Sequence, residues 1–359
     1  MRRKVNLLLI FSPSLIIGLI AVVLMNWHKD THVSLKVTID RVQFVVGGED
    51  KTSVIDAGTV KSLVFDDFDT IRVEPEKLTL LDEGRSQKIE LNGQELLIRA
   101  AGNRYQPNVM LSVENHKASG SLTVDALRAT PGATVVFALS DDPDELAVQL
   151  HKQQVSGSIT SSQPVRFDLN QCELVGISDS LDTKQNRSVV AHLKPYTSIN
   201  FSGRQDSIRL TMILPQDKNR RVFSQTSTPI TDVIFERQVE AGAVISSVVG
   251  ESEIDYPDYP DTKVAIAPRQ FIKLAELKQF AIKNIGWNPI DKLFVLDMEG
   301  IAGQIRTGSP DFSIDRRKTA FDSLRNNNQI LILVGLLGWG VTTTLIAYKF
   351  YKEWKNEAV

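Results

Sequence analysis

The chain has 359 residues, 42% apolar, 23% charged and 7% aromatic, a composition that supplies a substantial core and excludes intrinsic disorder, a collagen-like chain or a disulfide-stapled miniprotein. A single cysteine, Cys172, excludes an intramolecular disulfide and a cysteine-based zinc cluster. A net charge of −2 leaves no electrostatic footprint for a nucleic acid.

Residues 1–4, with Arg2, Arg3 and Lys4, precede 21 uncharged residues from Val5 to Met25. At about 1.5 Å per residue this covers a hydrocarbon core of roughly 30 Å. A transmembrane helix is expected over 5–26, because lipid offers backbone groups no water to bond. The stretch is too long for a signal-peptide core, and LMNWHKD lacks a small-x-small cleavage site, so the anchor is expected to stay uncleaved. A second uncharged run, Ile330–Tyr348, predicts a helix over 329–348 followed by a charged tail, 349–359. Trp27, Tyr348, Tyr351 and Trp354 are candidate interfacial anchors. Ser14, Gly18 and Ala21 share one face of the first span, and Gly340, Thr344 and Ala347 one face of the second. Small residues at such spacing let helix backbones approach.

Basic residues at both termini predict a two-pass protein of a bacterial inner or plasma membrane, with both ends cytoplasmic and 27–328 outside. Arg316, Arg317, Lys318 and Arg325 stand on the outer side and oppose that orientation, but the first span usually dominates. Between residues 27 and 328 there are 35 basic and 41 acidic side chains, about −6 in all.

The fold class expected is mainly β, a sandwich or jelly-roll-like extracytoplasmic domain with a few helices, flanked by two transmembrane α-helices. Val33, Leu35, Val37 and Ile39 alternate, then Val42, Phe44 and Val46 continue on the other parity, which predicts a bend near Asp40–Arg41. Asn92-Gly93 between apolar-periodic runs predicts a hairpin. Strands are expected through Val109–Val113, Val165–Leu169 and Ile208–Leu214, and no fixed-length repeat is found. The β-rich region spans 27–252, with a Ser/Gly-rich stretch at 153–164 as a candidate joint between two subdomains.

Few helices are expected. Asp142-Pro143-Asp144-Glu145 reads as a helix start. Residues 253–263, EIDYPDYPDTK, read as an extended linker. Beyond it, 264–310 reads as a small α+β segment. Its helix is expected over 269–285, from the apolar stripe Phe271, Leu274, Ala281, Ile282 and Ile285 and the stop signals Gly286 and Pro289. Two short strands are expected around Glu299-Gly300, then a polar juxtamembrane segment over 311–328.

Catalytic motifs are scarce: GxSxG, HExxH, the P-loop and GxGxxG are all missing from the sequence. His28 and His32 are spaced to share a helix face, but no third ligand is near them in sequence, so they read as juxtamembrane polar residues. Cys172 reads as a small core residue. Asp66, Asp67 and Asp69, and Asp297 with Glu299, are the carboxylates a glycosidase would need, and strand-end solvation explains them as well. Asn186-Arg-Ser and Asn200-Phe-Ser match the glycosylation sequon.

The sequence therefore predicts a non-catalytic protein with no cofactor or metal, whose outer domain serves as scaffold or accessory subunit of a larger membrane complex. Polysaccharide or lipid export is one setting. Its partners would be the bilayer and other membrane-protein subunits or further copies of itself. The alternatives are a binding module for glycan, peptidoglycan or lipid, and after it a carboxylate glycosidase.

Overall fold

A computed structural model describes residues 18–357 apart from 21, 25, 29, 83–84, 92–93, 101–106, 115–120, 141–144, 176–186, 195–196, 204–206, 215–226, 239–243, 260–261, 289–290, 292, 310 and 327–329. The chain divides into two units. One comprises Met1–Thr31, Asp258–Pro260 and Arg316–Val359; the other comprises His32–Pro257 and Asp261–Asp315.

The second unit is mostly β, as the alternation predicts, and forms two sheets. The smaller has seven strands in the order Cys172–Val175, Leu96–Ala100, Phe68–Val73, Ser198–Gly203, Val155–Thr160, Leu122–Ala129 and Thr52–Val60. The larger has eighteen. Inward apolar residues of both make the core: Phe65 of the large sheet meets Phe201 of the small one edge-on at 4.9 Å, and Phe68 at 6.4 Å. The alternating sets read from the sequence, Val33 to Ile39, Val42 to Val46, Val109 to Val113 and Ile208 to Leu214, all point inward. The parity slip at Asp40 separates strand Thr31–Ile39 from strand Arg41–Val46.

The chain shuttles between the sheets through single kinked residues. Ser62–Asp66 lies in the large sheet and Phe68–Val73 in the small one, with Asp67 between them at φ 55°. Val165–Asn170 and Cys172–Val175 repeat the arrangement around Gln171, also at φ 55°. One left-handed residue rotates the strand direction without a loop. The two kinked segments flank a common pair of strands, Asn108–Val113 in the large sheet and Leu96–Ala100 in the small.

Several expectations are corrected. The stretch 269–285 is not helical: Phe271–Asn288 is an 18-residue strand, paired with the 17-residue strand Leu293–Ser309 in one long hairpin. Register shifts between Lys278 and Ala281 and between Ile282 and Asn284, with Glu276 and Gln279 at φ 55° and 48°, break its alternation. Ile272 and Leu274 alternate as in any strand, but the next buried positions fall at Phe280–Ile282 and Ile285, so from Leu274 onward the spacing imitates a helical stripe. Glu299-Gly300 lies inside the partner strand rather than between two short ones. Gly300 is required there, since a Cβ would stand 2.4 Å from Phe280 Cα.

The runs flanking Asn92-Gly93 do not pair with each other. Arg85–Glu90 pairs with Lys77–Asp82 in the large sheet, and Leu96–Ala100 lies in the small one, so the connection is a crossover whose tip falls outside the described residues. Glu145 opens a strand, Glu145–His151, rather than a helix; Asp142 to Asp144 lie outside the described residues. The stretch 153–164 is no joint, because Val155–Thr160 pairs on both sides within the small sheet. Its glycine has a packing cause: a Cβ on Gly157 would lie 2.2 Å from the Phe201 ring. Residues 253–263 are not an extended linker either. Ser252–Asp255 and Lys263–Ile266 form a hairpin, closed by Lys263 Nζ on Glu253 at 2.6 Å and on Asp255 at 3.4 Å.

The first unit holds helical residues at 18–20, 22–24 and 26, helix Ala320–Asn326, and helix Ile330–Glu357. Among the described residues, no helix is long and apolar enough to cross a membrane. The side chains of 330–334 and 336–337, most of the apolar content of the second sequence run, lie outside those residues, as does 5–17.

Candidate functional site

The most specific construction in the first unit is a junction that joins two distant parts of the chain. Trp27 N–H donates to Val23 O at 2.8 Å and ends the first helical segment. Beyond it, His28 and Thr319 form an antiparallel bridge, and Ala320 N–H donates to Trp27 O at 2.8 Å. Lys318 N–H donates to Thr31 Oγ1 at 3.2 Å. Thr319 caps helix Ala320–Asn326: its Oγ1 accepts from Asp322 N–H at 3.1 Å, and Asp322 Oδ2 accepts from Thr319 N–H at 2.8 Å. This reciprocal pair is a capping box, with Asp in place of the usual Glu.

Tyr259 reaches the same junction from a third segment. Lys318 Nζ lies 5.5 Å from its ring centroid. Burial pushes the Tyr259 phenol above its ordinary pKa; a hydrogen bond from Ser323 opposes this, and Asp322 and Asp258 reinforce it. Burial also lowers the Lys318 amine, against the pull of Asp322. The chemistry is that of a clamp: polar groups satisfy one another where the two chain ends leave the β-region.

Of the predicted helix-contact residues, Gly340 and Thr344 are buried and Ala347 is half-buried, with Tyr351 on the same stripe. Trp339, Val341, Leu345, Ile346, Tyr348 and Phe350 around the rest of that helix are exposed. Thr342, Thr343 and Thr344 each turn the hydroxyl back onto a carbonyl one turn earlier, at 2.8, 2.6 and 2.7 Å. Gly18 faces open space, with nothing within 4 Å of an added Cβ. Ser14, Ala21 and the Trp354 side chain lie outside the described residues. Trp27 is 60% exposed.

The chemical candidates are dispersed. His28 Nδ1 sits 3.0 Å from Asn26 O, whereas His32 Nε2 sits 3.3 Å from Glu299 Oε1, so the two imidazoles serve different partners. No cluster of three metal-ligating side chains occurs among the described residues. Cys172 is buried, its thiol pushed up to about 12 by burial, with Sγ 3.2 Å from Asn170 O; it is a core residue held in the unreactive form. Asp66, half-buried at a strand end, is raised by burial, with Arg209 opposing and Asp67 reinforcing. Asp69 is exposed, and Asp297 accepts from Asn284 Nδ2 at 3.1 Å on the long hairpin. Asn200 is exposed, and Asn186 lies outside the described residues.

A depression of about 250 Å³ opens on the small sheet, lined by Arg72, Val73, Glu74, Glu95, Thr197, Ser198 and Asn200. Its side chains come from three separate stretches of sequence, which is why no local pattern announced it. The junction has one legible signal in the sequence, the Thr319-x-x-Asp322 capping spacing. No known family model and no curated protein matches the chain.

Proposed function

We propose that the protein is a scaffold or accessory subunit of a membrane complex in the cell envelope, its β-rich unit tethered at both ends by transmembrane helices with both termini cytoplasmic. One observation carries this reading: Trp27–Thr31 and Lys318–Ala320, nearly 300 residues apart, are hydrogen-bonded side by side, the first just behind the apolar run that ends at Met25 and the second one short helix ahead of the run that begins at Ile330. A chain whose two ends are clamped together starts and finishes at one point, which suits a fixed position in an assembly. The exposed apolar residues around helix Ile330–Glu357 support immersion in lipid, since such a surface is costly in water. The three threonine hydroxyls folded onto their own helix support it too, because an unbonded hydroxyl in hydrocarbon costs several kcal/mol, on the order of 2–7 by transfer scales. The setting proposed is polysaccharide or lipid export.

Gentle detergent extraction followed by native mass measurement tests the subunit role. Stoichiometric co-purification with another membrane protein is expected. A protein that runs alone, and whose deletion leaves neighbouring complexes intact, would overturn it. A second reading, a binding module for a small polar ligand such as a glycan, is favoured by the Arg72–Asn200 depression. Saturation-transfer NMR with neutral and anionic oligosaccharides decides it: a signal lost on Arg72→Ala and Asn200→Ala supports this reading, and no signal ends it.

A further inference from the structure

The Arg72–Asn200 depression gathers charges of both signs from within one unit of the chain. Arg72 and Glu74 flank the buried Val73 at the end of strand Phe68–Val73, and both are exposed. Strand register sorts the lining into two rows. Arg72 stands opposite Asn200 on one side and Leu97 on the other. One pair further toward the strand end on the same face, these registers set Glu74 opposite both Ser198 and Glu95. The two rows are two residues apart, about 7 Å along the strand. Like charges directly opposite each other repel. Among the described residues no ion pair or hydrogen bond of the Arg72, Glu74 or Glu95 side chain relieves the arrangement.

A ligand bearing both charges would relieve it. The carboxylate row attracts an ammonium, and the Arg72 guanidinium offers a planar fork that matches a carboxylate. Thr197, Ser198 and Asn200 add hydroxyl and amide partners for neutral polar groups. We propose that the depression binds a zwitterionic glycan, an oligosaccharide carrying free amino and acidic groups, with an ammonium at Glu74 and Glu95 and an acid on Arg72. The proposal rests on the binding-module reading above and names its class of ligand. At about 250 Å³ the depression lies just under the usual range for small-molecule pockets, roughly 300–1,000 Å³, so it takes a short part of a chain. The remainder has a path across the sheet, where Ser158 stands opposite Asn200 and Thr160 opposite Ser198, both short side chains.

Calorimetry on the full-length protein in detergent tests it, with one glucosamine–glucuronic acid tetrasaccharide in three forms: with free amines, N-acetylated, and carboxyl-reduced. The free-amine form alone carries both charges. It is expected to bind more tightly than either other form by about two- to five-fold, the worth of one exposed ion pair. Arg72→Gln should abolish its advantage over the carboxyl-reduced form. Glu74→Gln combined with Glu95→Gln should abolish its advantage over the N-acetylated form. All three side chains are exposed, and an unchanged melting temperature checks that the variants fold. Equal affinity for the three forms, or affinity that follows only one of the two charges, would overturn the zwitterion selection and leave a glycan site standing. No binding of any form would remove the binding-module reading along with it.

Discussion

Gly157 is decided by its neighbours rather than by its backbone. A Cβ there would meet the Phe201 ring at 2.2 Å and Ala126 O at 2.6 Å. Gly157→Ala is expected to cost about 1–3 kcal/mol, the usual toll of overpacking, read as a lower urea midpoint. Pairing it with Phe201→Leu should return part of the loss, because the two sites share one clash. Asp66 offers a pH test. Burial raises its carboxyl, so the folded state favours the protonated form. Its contribution to stability is therefore greatest below the ordinary carboxyl value of 3.8 and falls as pH rises through the higher folded value. Asp66→Asn should raise the melting temperature relative to the parent at pH 7 more than at pH 3, values chosen on either side of about 3.9. An equal shift at both pH values would refute the burial argument. Cys172, by contrast, should resist thiol reagents until the protein unfolds, since burial holds it protonated.

The long hairpin shows how an element escapes its local pattern. RQFIKLAELKQFAIKNIGW is rich in good helix formers and carries its apolar residues at near-helical intervals. A 17-residue partner strand supplies a hydrogen-bonding ladder along almost its whole length, and tertiary pairing outweighs propensities worth a few tenths of a kcal/mol per residue, roughly 0–0.7. The bulges are the adjustment. They shift parity so that Leu274, Phe280 and Ile285 all turn inward. Gln279 carries a side chain at φ 48°, a conformation that costs an L-residue about 1–2 kcal/mol. Gln279→Gly should accordingly gain on the order of 0.5–1 kcal/mol after its own entropy cost, measured by thermal unfolding. At the junction, Thr319→Ala removes the capping box and should weaken helix Ala320–Asn326 by about 1 kcal/mol, seen as faster amide exchange over 320–323.

At the scale of the molecule, the proposed double tether predicts a topology that labelling can read. Tags at the N- and C-terminus should both be protected in right-side-out vesicles and both exposed in inverted ones; opposite protection would break the two-span reading. The sequence by itself determined that the unit between the apolar runs is β, because strand alternation is a local record of which face is buried, and Val33 to Ile39 and Ile208 to Leu214 carry it plainly. It also determined the character of Cys172, whose apolar-periodic surroundings already described a core. It could not determine sheet membership. Asn92-Gly93 looked like a hairpin and proved a crossover, and 153–164 looked like a joint and proved an interior strand, since pairing partners such as Thr70 and Ser202 are chosen across more than a hundred residues. The Arg72–Asn200 depression and the His28–Thr319 clamp belong to the same class. Only the tertiary structure decided them, because each is a meeting of segments whose separate sequences hold no record of the other.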